Sequence, residues 1–274
     1  MIVDLHLHST ASDGQYSPAE LVKLVKDCGV QVMALTDHDT TDGVAMAKEA
    51  GKSQGIRVLT GIELSASEHP NLHILGYGID PAAPKLSSLC AELKHSREQH
   101  GQYIVDFLRA HGIQIDLQEV EALAAGGRIG RPHFAQVMVR HGYVRTTREA
   151  FDLYLDTEEY RSIKRKKPDV QTCIAVICDA GGKAVLAHPY QLEMENAELE
   201  VLVARLKSYG LCGLECHYPK YTPEQEKYYL YLADKYRLHV TAGSDFHGEQ
   251  VHPEDCIRPV QLNIDWLLKS EGTI

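Results

Sequence analysis

The sequence predicts an α/β fold made of βα units and interrupted by one helical insert. Short apolar, β-branched runs alternate with amphipathic helical patterns over residues 2–79 and again over 169–264, which is the rhythm of parallel βα units. From about 84 to 169 the alternation stops and only helical periodicity remains,. The 274 residues correspond to roughly 1.8 domains at about 150 residues each, so one large domain or one carrying an insert.

The elements follow in order. Residues 2–8 (IVDLHLH) alternate as a strand. Ser17, Pro18 and Glu20 then offer an N-cap, a proline at the first helical position and an early acid for a helix that ends on Gly29,. A strand at 32–36, a helix from near Thr41 to Gly55, and strands at 56–64 and 72–79 complete the first block. The insert reads as a long amphipathic helix over 85–110 and shorter helices near 117–124, 131–141 and 147–155. Helices at 169–180, 196–209 and 223–236 then alternate with strands at 183–187, 211–216 and 238–242, before a closing strand near 258–264. About seven of these runs are counted as barrel strands, short of a full eight-fold barrel. The expected domains are 1–83 with 170–274 as the barrel and 84–169 as the inserted subdomain. There is no internal repeat and no low-complexity tract.

Composition narrows the classes. Apolar residues at 44% and charged residues at 24% are near globular averages and argue against disorder or a disulfide-held miniprotein,. With 28 Lys+Arg against 38 Asp+Glu the formal charge is −10, which disfavours a broadly basic surface for nucleic acid or anionic membrane while leaving room for a local basic pocket,. The start MIVDLHLHST lacks the pattern of a signal peptide, and no apolar run is long enough to span a bilayer, so the expected location is cytoplasmic,. Cys28, Cys90, Cys173, Cys178, Cys212, Cys216 and Cys256 form no C-x-x-C pair. Reduced, mostly buried thiols are expected, with Cys212 and Cys216 on one buried strand face.

Chemistry gathers at the carboxyl ends of the strands, where barrel enzymes build their sites. His6 and His8, two apart on a strand, point to one face and could grip one metal,. Asp13, the triplet Asp37-His38-Asp39, Glu63, His73, His188, Asp245 and His247 follow or end other strands. Any one of these has an ordinary explanation, as a turn or cap residue or a partnered histidine. Together they would repel one another and be costly to desolvate unless cations offset the charge. A donor set of imidazoles and carboxylates without thiolate suits manganese, zinc or iron better than a dedicated magnesium or calcium site. Asp37 and Asp39 are candidates for orienting ligand imidazoles.

The series DLHLHST (4–10), LTDHDT (35–40), GIE (61–63), HILGY (73–77), AHP (187–189) and GSDFH (243–247) resembles the polymerase and histidinol phosphatase (PHP) family of metal-dependent phosphoesterases. The resemblance runs from His6 to His247 and implies a distorted seven-stranded (β/α) barrel, a TIM-like hydrolase fold. It implies nine ligands for two to three divalent ions, Mn2+ preferred over Zn2+ or Fe2+. His6, His8, Glu63 and Asp245 would hold one ion, and Glu63 would bridge to a second held by His73 and His188. Asp13, His38 and His247 would hold the third. Such a centre suits hydrolysis of a phosphate ester by a bridging hydroxide, with His188 or Asp245 handling a proton.

Substrate choice is expected from the insert. In GGRIGRPHFA (126–135), Arg128, Arg131 and His133 surround a helix start, where N–H groups and guanidinium forks can receive phosphate,. The plain alternative is a Gly-rich turn before a proline-started helix with solvated arginines. The GRPH motif resembles the PHP branch that removes the 3′-phosphate of nucleoside 3′,5′-bisphosphates or trims short RNA from its 5′ end, which implies that Arg131 and His133 form a 5′-phosphate pocket. Where that branch is expected to carry a Gly- and Pro-containing loop after FDLYL, this chain has DTEEYRSIKRKKPDV. Its basic run Lys164–Lys167 reads as a solvated loop or as a contact to a nucleotide backbone. His217, Tyr218 and Lys220 could line the mouth or merely pack. His95, His100 and His111 read as solvent-facing, and the tyrosines of EKYYLYLADKYR as packing. The expected partner is a nucleotide or short oligoribonucleotide, with no membrane and no obligatory protein partner. The alternatives are a phosphatase for another small phosphomonoester such as histidinol phosphate, and a non-catalytic metal-binding PHP module.

Overall fold

The computed structural model describes residues 1–124, 129–163 and 165–268. The chain folds into two compact units, Met1–Cys90 with Lys167–Ile274, and Ala91–Lys166.

The first unit is organised by one eight-stranded sheet. Its strands are β1 (Ile2–Asp4), β2 (Val32–Leu35), β3 (Arg57–Ser65), β4 (His73–Tyr77), β5 (Lys183–Leu186), β6 (Gly213–His217), β7 (His239–Ala242) and β8 (Val260–Gln261), in the order β7-β6-β5-β4-β3-β2-β1-β8. The chain continuing from β1 pairs with the chain continuing from β7, through Leu5 N–H to Ala242 O (2.9 Å), Asp245 N–H to His6 O (2.8 Å) and His8 N–H to Phe246 O (3.1 Å), so the sheet forms a nearly closed barrel. The sheet has eight strands where about seven were expected, and the closing strand expected near 258–264 is the short β8, antiparallel to the start of β1 at Ile2 and Val3.

The pairs β1–β2, β2–β3, β5–β6 and β6–β7 are parallel. In contrast to the parallel rhythm expected throughout, β4 runs antiparallel to both neighbours, with Ser65 opposite His73 and Ile74 opposite Leu186. No helix separates β3 from β4, and a parallel crossover needs a dozen or more connecting residues. The reversal has a consequence for chemistry: the first residue of β4, His73, arrives at the same end of the barrel as the last residues of β3.

The helices are α1 (Pro18–Asp27), α2 (Val44–Gln54), α3 (Pro84–Ala110), α4 (Leu117–Leu123), α5 (Arg131–Arg140), α6 (Thr147–Ala150), α7 (Glu158–Arg161), α8 (Val170–Asp179), α9 (Asn196–Tyr209), α10 (Pro223–Lys235) and α11 (Asp265–Leu268). α1 starts as its sequence dictates, with Ser17 and Glu20 closing a capping box around Pro18,. Its Leu21, Val22 and Val25 pack with Ala47 of α2 against Met33, Leu35 and Val58 on β2 and β3. A second cluster joins Val3, Leu5, Ala34, Leu59, Tyr77 and Val185. In the second unit, Leu108 of α3, Val120 of α4 and Phe134 and Met138 of α5 share a separate core with Leu155 of a π-helical turn (Phe151–Leu155).

Among the described residues, no helix is long and apolar enough to cross a membrane. All seven cysteines are free, but only Cys173 and Cys216 are buried; Cys28, Cys178 and Cys256 are exposed, which corrects the expectation of mostly buried thiols. Cys212 is half-buried and Cys216 buried. His100 is also half-buried, its Nε2 bonding to Ile163 O (3.0 Å), whereas His95 and His111 are exposed.

Candidate metal centre

The barrel end that receives the carboxyl termini of β1, β2, β3, β5 and β7 gathers one buried cluster. His6 and His8 follow β1, His38 follows β2, Glu63 lies near the end of β3, His73 opens β4, His188 follows β5, and Asp245 and His247 follow β7. Glu63 sits at the centre and is fully buried. Its Oε1 lies 2.9 Å from His73 Nδ1 and 3.0 Å from His188 Nε2. Its Oε2 lies 3.3 Å from His6 Nε2, 3.2 Å from His8 Nε2 and 2.9 Å from His38 Nδ1. Asp245 Oδ1 approaches His6 Nε2 (3.3 Å) and His8 Nε2 (3.2 Å). Donor atoms of His6, His8, Glu63 and Asp245 converge within 4.8 Å of one another, as do those of His8, Asp13, His38 and His247 and those of His38, Glu63 and His73. All nine residues singled out in the sequence as ligands thus meet here, and His188 joins through its contacts to Glu63 and His73.

The backbone is bent to achieve this. His188 (φ 23°), Asp245 (φ 55°) and Asp39 (φ 58°) are three of the five non-glycine residues with positive φ among the described residues. Such strain persists where the surroundings impose it, and it concentrates at functional sites. Asp4, fully buried, holds the β7 loop by accepting from Ser244 N–H (3.0 Å) and Ser244 Oγ–H (2.6 Å), directly beside Asp245. Burial pushes its carboxyl up to about 7 against the pull of those hydrogen bonds. Asp37, expected to orient an imidazole, instead accepts from Ser9 N–H (2.7 Å), Ser9 Oγ–H (2.8 Å) and Ser12 Oγ–H (2.7 Å), fixing the loop after His8. Asp39 accepts from Ser65 N–H (3.0 Å).

Electrostatics divide the imidazoles. Burial opposes a charged His6, yet Glu63, Asp245 and Glu215 outweigh it and hold the ring well above the usual range. Burial opposes a charged His8 as well, but the Asp245 and Glu63 carboxylates beside its Nε2 push it up to about 10. His188 is raised by Glu63 despite its burial. Burial prevails at His38, which falls to about 4, and lowers His73 and His247. Glu63 and Asp245, though buried, are drawn far below the carboxylate range by the surrounding imidazoles.

Hydrogen bonds do not account for the donor set. The buried atoms His6 Nε2, His8 Nδ1 and Nε2, His38 Nδ1, Glu63 Oε2 and His188 Nδ1 make none. Buried polar atoms are seldom left unsatisfied, and here most of them converge on Glu63 and Asp245 in the geometry of cation ligands. The residues therefore fit divalent metal ions. A cavity of about 390 Å3 opens onto them, lined by Asp13, His38, His73, His188, Asp245 and His247 together with Tyr190, Tyr218 and Lys220. Tyr218 Oη donates to Asp245 Oδ2 (3.2 Å), so this residue does line the mouth. A further group of possible donors, His247, His252 and Asp255, was not apparent in the sequence; there Lys220 Nζ already neutralises Asp255 at 3.0 Å.

The substrate candidates belong to the second unit. Arg131 Nη1 pairs with Asp156 and bonds to Leu155 O (3.3 Å), and its guanidinium lies 5.5 Å from the centre of the Phe151 ring. His133 Nδ1 accepts from Gly130 N–H (3.0 Å), capping its own helix. Arg128 lies outside the described residues, as does Lys164 of the basic run.

A barrel mouth carrying buried imidazoles and carboxylates for divalent ions defines a metal-dependent hydrolase acting on phosphate esters. The model of the PHP domain matches residues 4–239, and the chain belongs to the PHP family. A 5′-3′ exoribonuclease of Haemophilus influenzae is 37% identical over 245 residues, covering 89% of each chain. A phosphoribosyl 1,2-cyclic phosphate 1,2-diphosphodiesterase of Eggerthella lenta is 33% identical over 91% of this chain and 95% of its own. A 3′,5′-nucleoside bisphosphate phosphatase of Chromobacterium violaceum is 32% identical over 90% of this chain and 87% of its own. Among solved structures, an amidohydrolase from Chromobacterium violaceum with bound sulfate superposes with a TM-score of 0.80 at 29% identity, covering 98% of this chain and 96% of that one.

Proposed function

We propose that this protein removes the 3′-phosphate of nucleoside 3′,5′-bisphosphates and trims short 5′-phosphorylated RNA, using two to three divalent ions with Mn2+ preferred. The observation that carries the reading is Glu63, whose two oxygens reach five imidazoles from four separate segments while several donor atoms remain without hydrogen bonds. The names of the Haemophilus and Chromobacterium relatives support the choice of substrate. In this assignment His6, His8, Glu63 and Asp245 hold one ion, Glu63, His73 and His188 a second, and Asp13, His38 and His247 a third. Bound there, the ions supply Lewis acidity, acidifying water and offsetting charge on phosphoryl oxygens. Asp245 and His188 border the cavity and are assigned the proton transfers; Tyr218, donating to Asp245 Oδ2, keeps that oxygen an acceptor.

The test is phosphate release by the Mn2+-loaded protein from adenosine 3′,5′-bisphosphate, 3′-AMP, 5′-AMP, histidinol phosphate and phosphoribosyl 1,2-cyclic phosphate. Fastest turnover of the bisphosphate is expected. A preference for histidinol phosphate or the cyclic ester would replace the nucleotide reading, and no turnover of any ester would leave a metal-binding module.

The helical unit, taken as residues 84–169, is proposed to recognise the 5′-phosphate through Arg131 and His133, with Arg128 beside them in sequence. Hydrogen bonds to a charged group contribute about 1.5–3 kcal/mol. Arg131→Ala is therefore expected to raise KM for adenosine 3′,5′-bisphosphate about 10- to 100-fold while leaving 3′-AMP nearly unchanged. Its exposed pair with Asp156 adds little to stability,, so the fold should persist. Equal effects on both substrates would remove Arg131 from the pocket.

A further inference from the structure

Glu215 is a buried carboxylate to which the assignment above gives no role. It sits in β6 between Leu214 and Cys216 and is fully buried. Its Oε1 lies 3.1 Å from His6 Nδ1, and its Oε2 accepts the His188 backbone N–H at 2.7 Å. One side chain thus ties together two cluster histidines that arrive from β1 and β5. Its own backbone is fixed by register with Thr241 of β7 and by Tyr221 Oη, which donates to Glu215 O at 3.0 Å. Among the described residues, its ion-pair partner is His6.

Burying a carboxylate completely is costly unless its oxygens are filled by good donors. An ionised carboxylate can only accept, so the hydrogen between Glu215 and His6 resides on His6 Nδ1. In the neutral ring, His6 Nε2 then carries the lone pair, and it faces Glu63 Oε2 and Asp245 Oδ1, each at 3.3 Å. That is the tautomer a cation requires, and a carboxylate behind a ligating imidazole fixes both its tautomer and its orientation. The neighbouring chain is adapted to the pair: a Cβ at Gly243 would stand 2.7 Å from Glu215 Oε1 and 2.2 Å from His6 Cβ. Glycine there leaves room for the imidazole and the carboxylate to meet.

We infer that Glu215 is a positioning residue of the metal centre, setting the tautomer of His6 and anchoring the backbone at His188. The inference rests on the metal-centre reading above. Gln in this position offers one acceptor oxygen for two donors and presents an NH2 group to the other.

The experiment compares the full-length wild type with Glu215→Gln, measuring Mn2+ affinity by competition with a chromophoric chelator and recording imidazole 15N spectra. Affinity is expected to fall about 10- to 100-fold in the variant, with the melting transition still cooperative. An unchanged affinity would overturn the inference while leaving the metal centre intact. A wild type that binds no divalent ion would overturn both. Should Glu215→Gln fail to fold, the spectrum of the wild type loaded with diamagnetic Zn2+ decides alone: hydrogen retained on His6 Nδ1 with Nε2 bare supports the assignment, and hydrogen on Nε2 with Nδ1 bare refutes it. Glu226→Gln, which alters only the half-exposed pair with His217, serves as the control with wild-type affinity.

Discussion

Glu63→Gln is expected to lower kcat/KM for the phosphate ester by about 10^3- to 10^4-fold while the protein remains folded. The size of the effect follows from position. Among the described residues, Glu63 alone has each oxygen against a different set of imidazoles, His73 and His188 on one side and His6, His8 and His38 on the other. An amide keeps the shape but loses the charge and one acceptor, so neighbouring ions would share no bridging carboxylate. Metal assistance provides several kcal/mol of transition-state charge stabilisation, and each 1.36 kcal/mol is a factor of ten in rate. Breaking a buried ion pair costs about 3–5 kcal/mol when the partner charge remains; here the imidazoles can shed their protons, which limits the loss of stability. Metal content and kcat/KM, measured on the same preparation, check the prediction. A variant with wild-type activity would remove Glu63 from the centre.

The cluster was legible in the sequence because ligands at strand ends obey a positional rule that survives without coordinates. His6 and His8 alternate at the end of a strand, and most later strands, β2, β3, β4, β5 and β7, bring an acid or histidine of their own to the same rim. Glu215 was invisible for the opposite reason. It lies inside LCGLEC, where a charge in an apolar run looks like the outward face of a strand; β6 is instead buried on both sides. The available signal was a carboxylate flanked by Leu214 and Cys216 in a run otherwise suited to burial on both faces. Asp4 was hidden in the same way between Val3 and Leu5. Asp37 was noticed, but a sequence cannot show that the hydroxyls of Ser9 and Ser12 would claim its oxygens before an imidazole could.

The strand directions were readable only in part. Helical connections of ordinary length made β1 to β2 and β5 to β6 parallel units, whereas the absence of a helix between Ser65 and His73 was the signal for an antiparallel turn. The closing strand was read near 258–264, but only Val260 and Gln261 of that run pair with β1. Exposure of Cys28, Cys178 and Cys256 was misjudged because cysteine composition reports chemical character, while burial depends on which side of a helix end or loop the residue falls.

Removing divalent ions with a chelator is expected to lower the melting temperature, and adding Mn2+ back to restore it in a concentration-dependent way. An ion that binds only the folded chain stabilises it by about 2.7 kcal/mol at 100 times its dissociation constant. For a chain of this size that corresponds to about 5–10 °C for one ion. The increment should depend on pH, with a sign set by the imidazoles. In the metal-free chain His8 titrates at about 10 against an ordinary value of 6.5, and His6 and His188 are also raised. Their pairing with Glu63 and Asp245 stabilises the metal-free fold fully below the ordinary imidazole value, and for His8 this is lost as pH rises through about 10. A cation must displace these protons, and each proton displaced costs less at pH 8.5 than at pH 6.5, although His8 holds its own at both. The Mn2+-induced rise in melting temperature should therefore be larger at pH 8.5 than at 6.5, and calorimetric titration in buffers of different ionisation enthalpy should show proton release on binding. A melting temperature indifferent to Mn2+ at both pH values would refute the metal centre itself, since buried carboxylates and imidazoles at these separations would then need no cation to hold them together.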